Sequence, residues 1–201
     1  KEVPLTLSPF HQIGVVRQTP RPLHLLADAL HGNPSVYCLE IKWDCVPPDQ
    51  WEMMLARLPQ CNEPPKLLFD RNCFTRRLAR GLSTVFKEPT TTIQELSLSN
   101  CRIGDALCTD LAQILCTNSS LRSLDLSHNS IGDKGIVELS RILESNTSLE
   151  CLDLLANKYG NDGLIGLAQA LDVNTTLQKL TIGPNEYSNK GICVILFTLS
   201  E

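Results

Sequence analysis

Asp125, Ser127 and His128 stand together in "DLSHN", which brings an acid, a hydroxyl and an imidazole within four consecutive positions. Acyl transfer by such a trio needs the acid to orient the base and the base to face the hydroxyl. Neighbours along a strand point to opposite faces, and no nearby residue orients the imidazole, so His128 is expected to be a solvated surface histidine. The chain contains no GxxxxGK[ST] phosphate loop, no HExxH, no GxSxG and no metal-ligand cluster. No catalytic residue, cofactor or metal is therefore expected. Arg76, Arg77 and Arg80 share one face of a predicted helix and could meet phosphate or an acidic partner. A solvated basic face is the expectation there, and the same holds for His24 and His31.

The elements that carry these residues come from a repeat. Ile93, Leu121, Leu149 and Leu177 are spaced 28 apart, and each opens the pattern L-x-x-L-x-L-x-x-N/C-x-L, in "IQELSLSNCRI", "LRSLDLSHNSI", "LECLDLLANKY" and "LQKLTIGPNEY". A second segment follows each copy: "GDALCTDLAQILCTN", "GDKGIVELSRILESN", "GNDGLIGLAQALDVN" and "SNKGICVILFTLSE". The first segment alternates apolar and polar residues, as a strand with one buried face must. The second repeats its apolar residues three and four apart, as a helix with one buried stripe must. No single unit can bury its stripe alone, so the units must stack. This is leucine-rich repeat spacing: an α/β solenoid, or horseshoe, with parallel strands on a concave face and helices on a convex face.

The period assigns columns. Leu111, Leu139, Leu167 and Ile195 face inward, followed by Leu115, Leu143, Leu171 and Leu199. Cys101, Asn129, Asn157 and Asn185 sit where the chain leaves the strand, placed to bond backbone groups of their own and neighbouring turns. A looser version reaches backwards. "PPKLLFDRNCF" from Pro64 keeps Leu67, Phe69, Asn72 and Phe74, and "VYCLEIKWDCV" from Val36 keeps Leu39 and Ile41 with Asp44 in the asparagine slot. Phe10 opens a copy with Ile13 and Val15. Residues 1–201 are thus expected to form a single domain of seven units: divergent ones over 10–35, 36–63 and 64–92, and regular ones over 93–120, 121–148, 149–176 and 177–201. The early helices are predicted over Pro22–His31, Asp49–Leu58 and Thr75–Phe86, with Asp49 and Thr75 as N-caps.

Composition narrows the setting. With 201 residues, 42% of them hydrophobic, the chain can bury a sizeable core, while a net charge of −4 leaves no nucleic-acid or membrane footprint. There is no run long enough to span a membrane and no signal peptide, and the chain is expected to be a fragment of a larger protein. Nine cysteines without a CxxC, several in repeat columns, point to reduced thiols and a cytoplasmic location. The sequons "NSS" at Asn118, "NTS" at Asn146 and "NTT" at Asn174 would imply secretion if glycosylated. They too recur every 28 residues, at the helix-to-strand turn, where Asn tolerates left-handed geometry, so a structural turn is expected.

The wording "N-x-S/T-L-x-x-L-D-L-x-x-N-x-I/Y-G-D-x-G" resembles the ribonuclease-inhibitor type of leucine-rich repeat, closely over 93–201 and loosely over 10–92. That class includes ribonuclease inhibitor, the GTPase-activating protein for Ran and the sensor regions of NOD-like innate immune receptors. Some members place Cys in every second asparagine slot; only Cys101 does so here, so the chain looks more like the uniform Asn type. The resemblance implies a non-catalytic protein-binding domain, the ligand-sensing or autoinhibitory region of a cytosolic NOD-like receptor or scaffold. A Ran-type GTPase activator is the alternative.

Two surfaces follow. The outward strand positions present Trp43, Leu68, Arg71, Asp125, His128, Asp153 and Leu155 to another protein or a neighbouring domain of the same protein. In the last helix, Cys193, Val194 and Phe197 extend an apolar surface where Glu138, Arg141, Gly166 and Gln169 stand in earlier units. Solenoids need a polar outer cap. Either a further C-terminal segment or a second copy is expected to cover this surface.

Overall fold

The computed structural model describes residues 6–7, 12–15, 36–41, 48–58, 65–89 and 91–198. One sheet runs through it in sequence order: β1 (Thr6–Leu7), β2 (Gln12–Val15), β3 (Cys38–Ile41), β4 (Lys66–Leu68), β5 (Glu95–Ser97), β6 (Ser123–Asp125), β7 (Cys151–Asp153) and β8 (Lys179–Thr181). From β2 onward every pair is parallel, and the register aligns Ile13, Leu39, Leu67, Leu96, Leu124, Leu152 and Leu180 in one row. The helices α1 (Pro48–Leu55), α2 (Arg76–Lys87), α3 (Asp105–Thr117), α4 (Asp133–Leu143), α5 (Asn161–Val173) and α6 (Asn189–Thr198) line the other side. This is the α/β leucine-rich repeat solenoid that the 28-residue period requires. At the opposite end, β1 pairs antiparallel with β2, covering an edge that would otherwise present bare backbone groups.

Between sheet and helices lies a continuous aliphatic core. Leu139 and Leu167 are fully buried, and Leu111, Leu115, Leu143 and Ile195 nearly so. Leu171 is only half-buried, and Leu199 lies outside the described residues. Trp51 and Phe69 meet edge to face with ring centroids 4.9 Å apart, anchoring the divergent units to the same core.

The asparagine column is a ladder. Asn129 donates from Nδ2 to the carbonyls of Leu98, Leu126 and Ser127, and its Oδ1 accepts from the amides of Cys101 at 2.9 Å and Ile103 at 3.0 Å. Asn157 repeats the donation to Leu126, Leu154 and Leu155 and accepts from Ile131. Cys101 can donate but has no comparable acceptor; its Sγ bonds the Phe69 carbonyl at 3.0 Å. Each rung therefore ties one unit to the one before it.

Helix starts are capped across units. The helices α4 and α5 have glycine N-caps that supply no side-chain bond. Instead Asp105 Oδ1 accepts from the amides of Gly132 and Gly135 at 2.7 and 3.1 Å, and Asp133 Oδ1 from Gly160 and Gly163 at 2.8 and 2.7 Å. A carboxylate there meets orphan amides and the positive end of the helix dipole, together worth about 1–3 kcal/mol. Glycine is required for the approach. A Cβ at Gly135 would lie 2.9 Å from Asp105 Oδ1 and 2.7 Å from Ile131 Cγ2.

Thr75 caps α2, its Oγ1 accepting from the Leu78 amide. Asp49 is not an N-cap: α1 begins one residue earlier, at Pro48, whose fixed φ suits the first helical position. The predicted helix over Pro22–His31 lies outside the described residues. Asn118 and Asn174 are extended, with φ of −86° and −81°, rather than left-handed. They turn the chain with the side chain instead, Oδ1 of Asn118 accepting from Ser120 and Leu121 while Nδ2 donates to Phe86 of the previous unit. The left-handed column lies at the strand exit, at Arg71, Asn100, His128 and Ala156, with φ between 53° and 60°.

Candidate functional site

The open face of the sheet is built in rows by the parallel register. One row runs Cys38, Lys66, Glu95, Ser123, Cys151, Lys179, and the next Glu40, Leu68, Ser97, Asp125, Asp153, Thr181. Adjacent members are about 4.8 Å apart, the strand spacing. Lys66 and Glu95 pair at 2.7 Å, and Arg122 reaches Glu150 at 3.9 Å; both pairs are well exposed, so each adds at most about 1 kcal/mol.

The middle of the face is acidic and organised. Asp125 Oδ1 accepts from the Ser127 amide at 2.8 Å, and Asp153 Oδ1 from the Leu155 amide at 2.9 Å. Those bonds fix both side chains in the same pose on adjacent strands. Ser97 Oγ bridges, donating to Asp70 and lying 3.3 Å from Asp125 Oδ2. Asp70 also accepts from the Ser99 amide. Two carboxylates side by side repel one another, and a cation placed over them relieves that repulsion.

Most of the residues singled out from sequence have a place in the structure. Asp125 and Asp153 are neighbours in one row. Leu68 lies in the same row, half-buried, two strands away. Arg71 and His128 belong to the exposed left-handed column at the strand exits. Leu155 is half-buried because it lies over the following unit: its Cδ1 is 1.8 Å from where a Cβ on Gly183 would be, which is why that position is glycine. Trp43, His24 and His31 lie outside the described residues. His128 is not drawn into a triad, since Asp125 accepts from the Ser127 amide and lies beside Ser97 Oγ rather than bonding the imidazole. Arg76 pairs with Asp110 of the next helix at 3.5 Å. At the end of the solenoid Cys193 is exposed and Phe197 is 66% exposed, whereas Val194 is half-buried and packs against the core. Sequence reasoning missed Leu196, 61% exposed. It also left Asp70 and Ser97 out of the acidic centre, because their bonds cross between units.

Among the described residues no group of three His, Cys, Asp or Glu side chains could hold a metal ion, and no helix is long and apolar enough to cross a membrane. The described cysteines are all free thiols. Burial pushes Cys101 and Cys108 up to about 12, with Asp70 and Asp105 respectively adding to the effect, and burial followed by Glu40 raises Cys38. Since the thiolate is the reactive form, native protein treated with iodoacetamide at pH 7.5 should label at the exposed Cys73, Cys116 and Cys193, leaving Cys38, Cys101 and Cys108 unmodified until the chain is denatured. Mass spectrometry of the peptides reads this directly, and two or more intramolecular disulfides in unreduced protein would contradict it.

A family model described as Leucine Rich repeat matches residues 91–106 and 117–140. No curated protein matches the chain. Among solved structures the chain is similar to leiomodin-1 actin-binding site 2, with a TM-score of 0.54 and 22% identity over 90% of each chain. It is also similar to the tropomodulin C-terminal domain of Caenorhabditis elegans, with a TM-score of 0.55 and 14% identity over 90% of this chain and 92% of that one. These likenesses show a shared leucine-rich repeat fold.

Proposed function

We propose that the chain is a non-catalytic protein-recognition domain that takes its partner, another protein or a neighbouring domain, on the concave sheet. The observation that carries this is the rigid row in which Asp125 and Asp153 are held side by side by their own turn amides, with Leu68 two strands away. Charged groups fixed on strands steer a partner and set its register, and a half-exposed leucine offers it apolar area. The partner chemistry this fits is a basic segment with apolar flanks. The further placement, in the ligand-sensing or autoinhibitory region of a cytosolic NOD-like receptor or scaffold, is supported by the ribonuclease-inhibitor-like wording of the regular units.

A crosslinking pull-down from cytosol, run with the wild-type chain and with Asp125→Lys/Asp153→Lys, tests the site. A partner retained by the first and lost by the second supports it; equal capture overturns it. Two defined probes belong in the same series. Filamentous actin tests whether the binding named for leiomodin-1 extends to this chain of similar fold. Accelerated GTP turnover by a Ran-type GTPase would replace the proposal with the activator reading.

A further inference from the structure

Residues 71–87 contain Arg71, Arg76, Arg77, Arg80 and Lys87 and no Asp or Glu, in a chain where acids outnumber bases 22 to 18. All but Arg71 belong to α2, and all are exposed. Arg77, Arg80, Thr84 and Lys87 follow one another at i, i+3, i+7 and i+10, which sets them on one outer stripe about 15 Å long. Arg102 of the next unit adds to the start of α2: its Nη1 donates at 3.5 Å to Cys73 Sγ, two residues before the Thr75 cap.

Nothing in the fold asks for this charge. Arg76 and Arg77 occupy the first turn, where the helix dipole disfavours cations and where α3, α4 and α5 carry Asp105, Asp133 and Asp162. Arg80 stands one turn further on, so it meets like charges at i−3 and i−4. Arg76 is held only loosely by Asp110, at 3.5 Å with its own side chain 73% exposed. Arg77 and Arg80 have no acidic partner among the described residues. On the α3 side the exposed neighbours are the uncharged Ala106, Gln113 and Cys116. The stripe is positive charge left uncompensated at the expense of its own helix, and departures of that kind from local rules are expected where a surface serves a partner.

The shape of the charge selects the partner. Beyond α3 the convex helices turn acidic, with Glu144, Asp162 and Asp172 exposed against Lys134, and with Arg141 taken by Glu138. An anionic membrane or a nucleic-acid duplex resting on the convex face would meet those acids too. A short run of carboxylates meets α2 alone, and a guanidinium fork matches a carboxylate two bonds at a time. We propose that α2, together with Arg102, is a docking site for an acidic protein segment rich in Asp and Glu that lies along Arg77, Arg80 and Lys87. At about 3.3 Å per extended residue, some five residues of that segment span the stripe. This surface lies on the convex side and has the opposite charge to the Asp125–Asp153 row, so the two sites take different partners.

Fluorescence anisotropy with labelled hexaglutamate tests the site, with hexaglutamine as the uncharged control. The wild-type chain should bind hexaglutamate alone, and more weakly as salt rises from about 50 to about 300 mM. Arg77→Glu/Arg80→Glu should weaken binding at least about tenfold. Its thermal melt should equal or exceed the wild type, because the change removes a like-charge repulsion and places an acid in the first turn. Lys134→Glu/Lys158→Glu makes the same change in net charge at exposed positions on other units, and should bind as the wild type does. The proposal is overturned by a wild-type chain that ignores hexaglutamate, by Arg77→Glu/Arg80→Glu binding undiminished, or by equal loss in Lys134→Glu/Lys158→Glu. A lowered melt in Arg77→Glu/Arg80→Glu would assign the arginines to the fold instead, and capture of the wild-type chain by phosphatidylserine vesicles in preference to hexaglutamate would replace the acidic segment with a membrane.

Discussion

Asn129→Ala should lower the unfolding free energy by about 2–5 kcal/mol, because two buried amides are left without acceptors at roughly 1–3 kcal/mol each. The side chain is 7% exposed and makes five bonds to backbone groups, three in the preceding unit and two in its own. Alanine removes both the acceptor that serves Cys101 and Ile103 and the donors that serve three carbonyls. Water cannot readily replace either at a site closed by stacked units. Asn185 provides the comparison within the same column. It is half-buried, and its Oδ1 accepts from the Asn157 amide, so Asn185→Ala should cost less than half as much. Urea denaturation of the two variants measures the difference, and equal losses would show that the rungs do not bear stability as the bonds imply.

Leu139→Ala is expected to cost about 2–5 kcal/mol as a fully buried large-to-small change. Leu139 is 0% exposed in the middle of α4, between α3 and α5. With units packed on both sides, the cavity has little freedom to collapse. Asp125→Ala should stay within about 1 kcal/mol, since the carboxylate is half-exposed and water can serve the Ser127 amide in its place. Chemical denaturation giving the reverse order would mean that the strand and helix faces are assigned the wrong way round. The pair also separates stability from recognition: Asp125 variants should fold normally and still lose the proposed partner.

The repeat was legible because its signal is local. Leu124 and Leu126 alternate with polar residues, Leu139 and Leu143 recur at helical spacing, and both patterns return 28 positions later. From that alone followed the strand, the helix, the need to stack, the inward leucines and the asparagine column. The Asp125–Asp153 row was also within reach, since two residues one period apart on parallel strands must be neighbours. The acidic centre was only half visible. Ser97 and Asp70 join it through bonds between units, and Asp70 reaches Ser97 from outside the row in which Ser97 is registered with Leu68 and Asp125.

Amino-acid order by itself determined what each unit is, because the energies that choose strand or helix act within about a dozen residues. Only the stacked structure decided how one unit completes the next. Asp105 and Asp133 look like ordinary first-turn acids, yet they cap the helices of the following units, and Gly135 and Gly163 are glycines to let them in. Leu155 resembles a free apolar contact and proves to be the lid over Gly183. Leu196 occupies a column that is buried three times before it, and is 61% exposed. A side chain's burial depends on what the neighbouring unit places against it, and that is a property of the packing rather than of the residue.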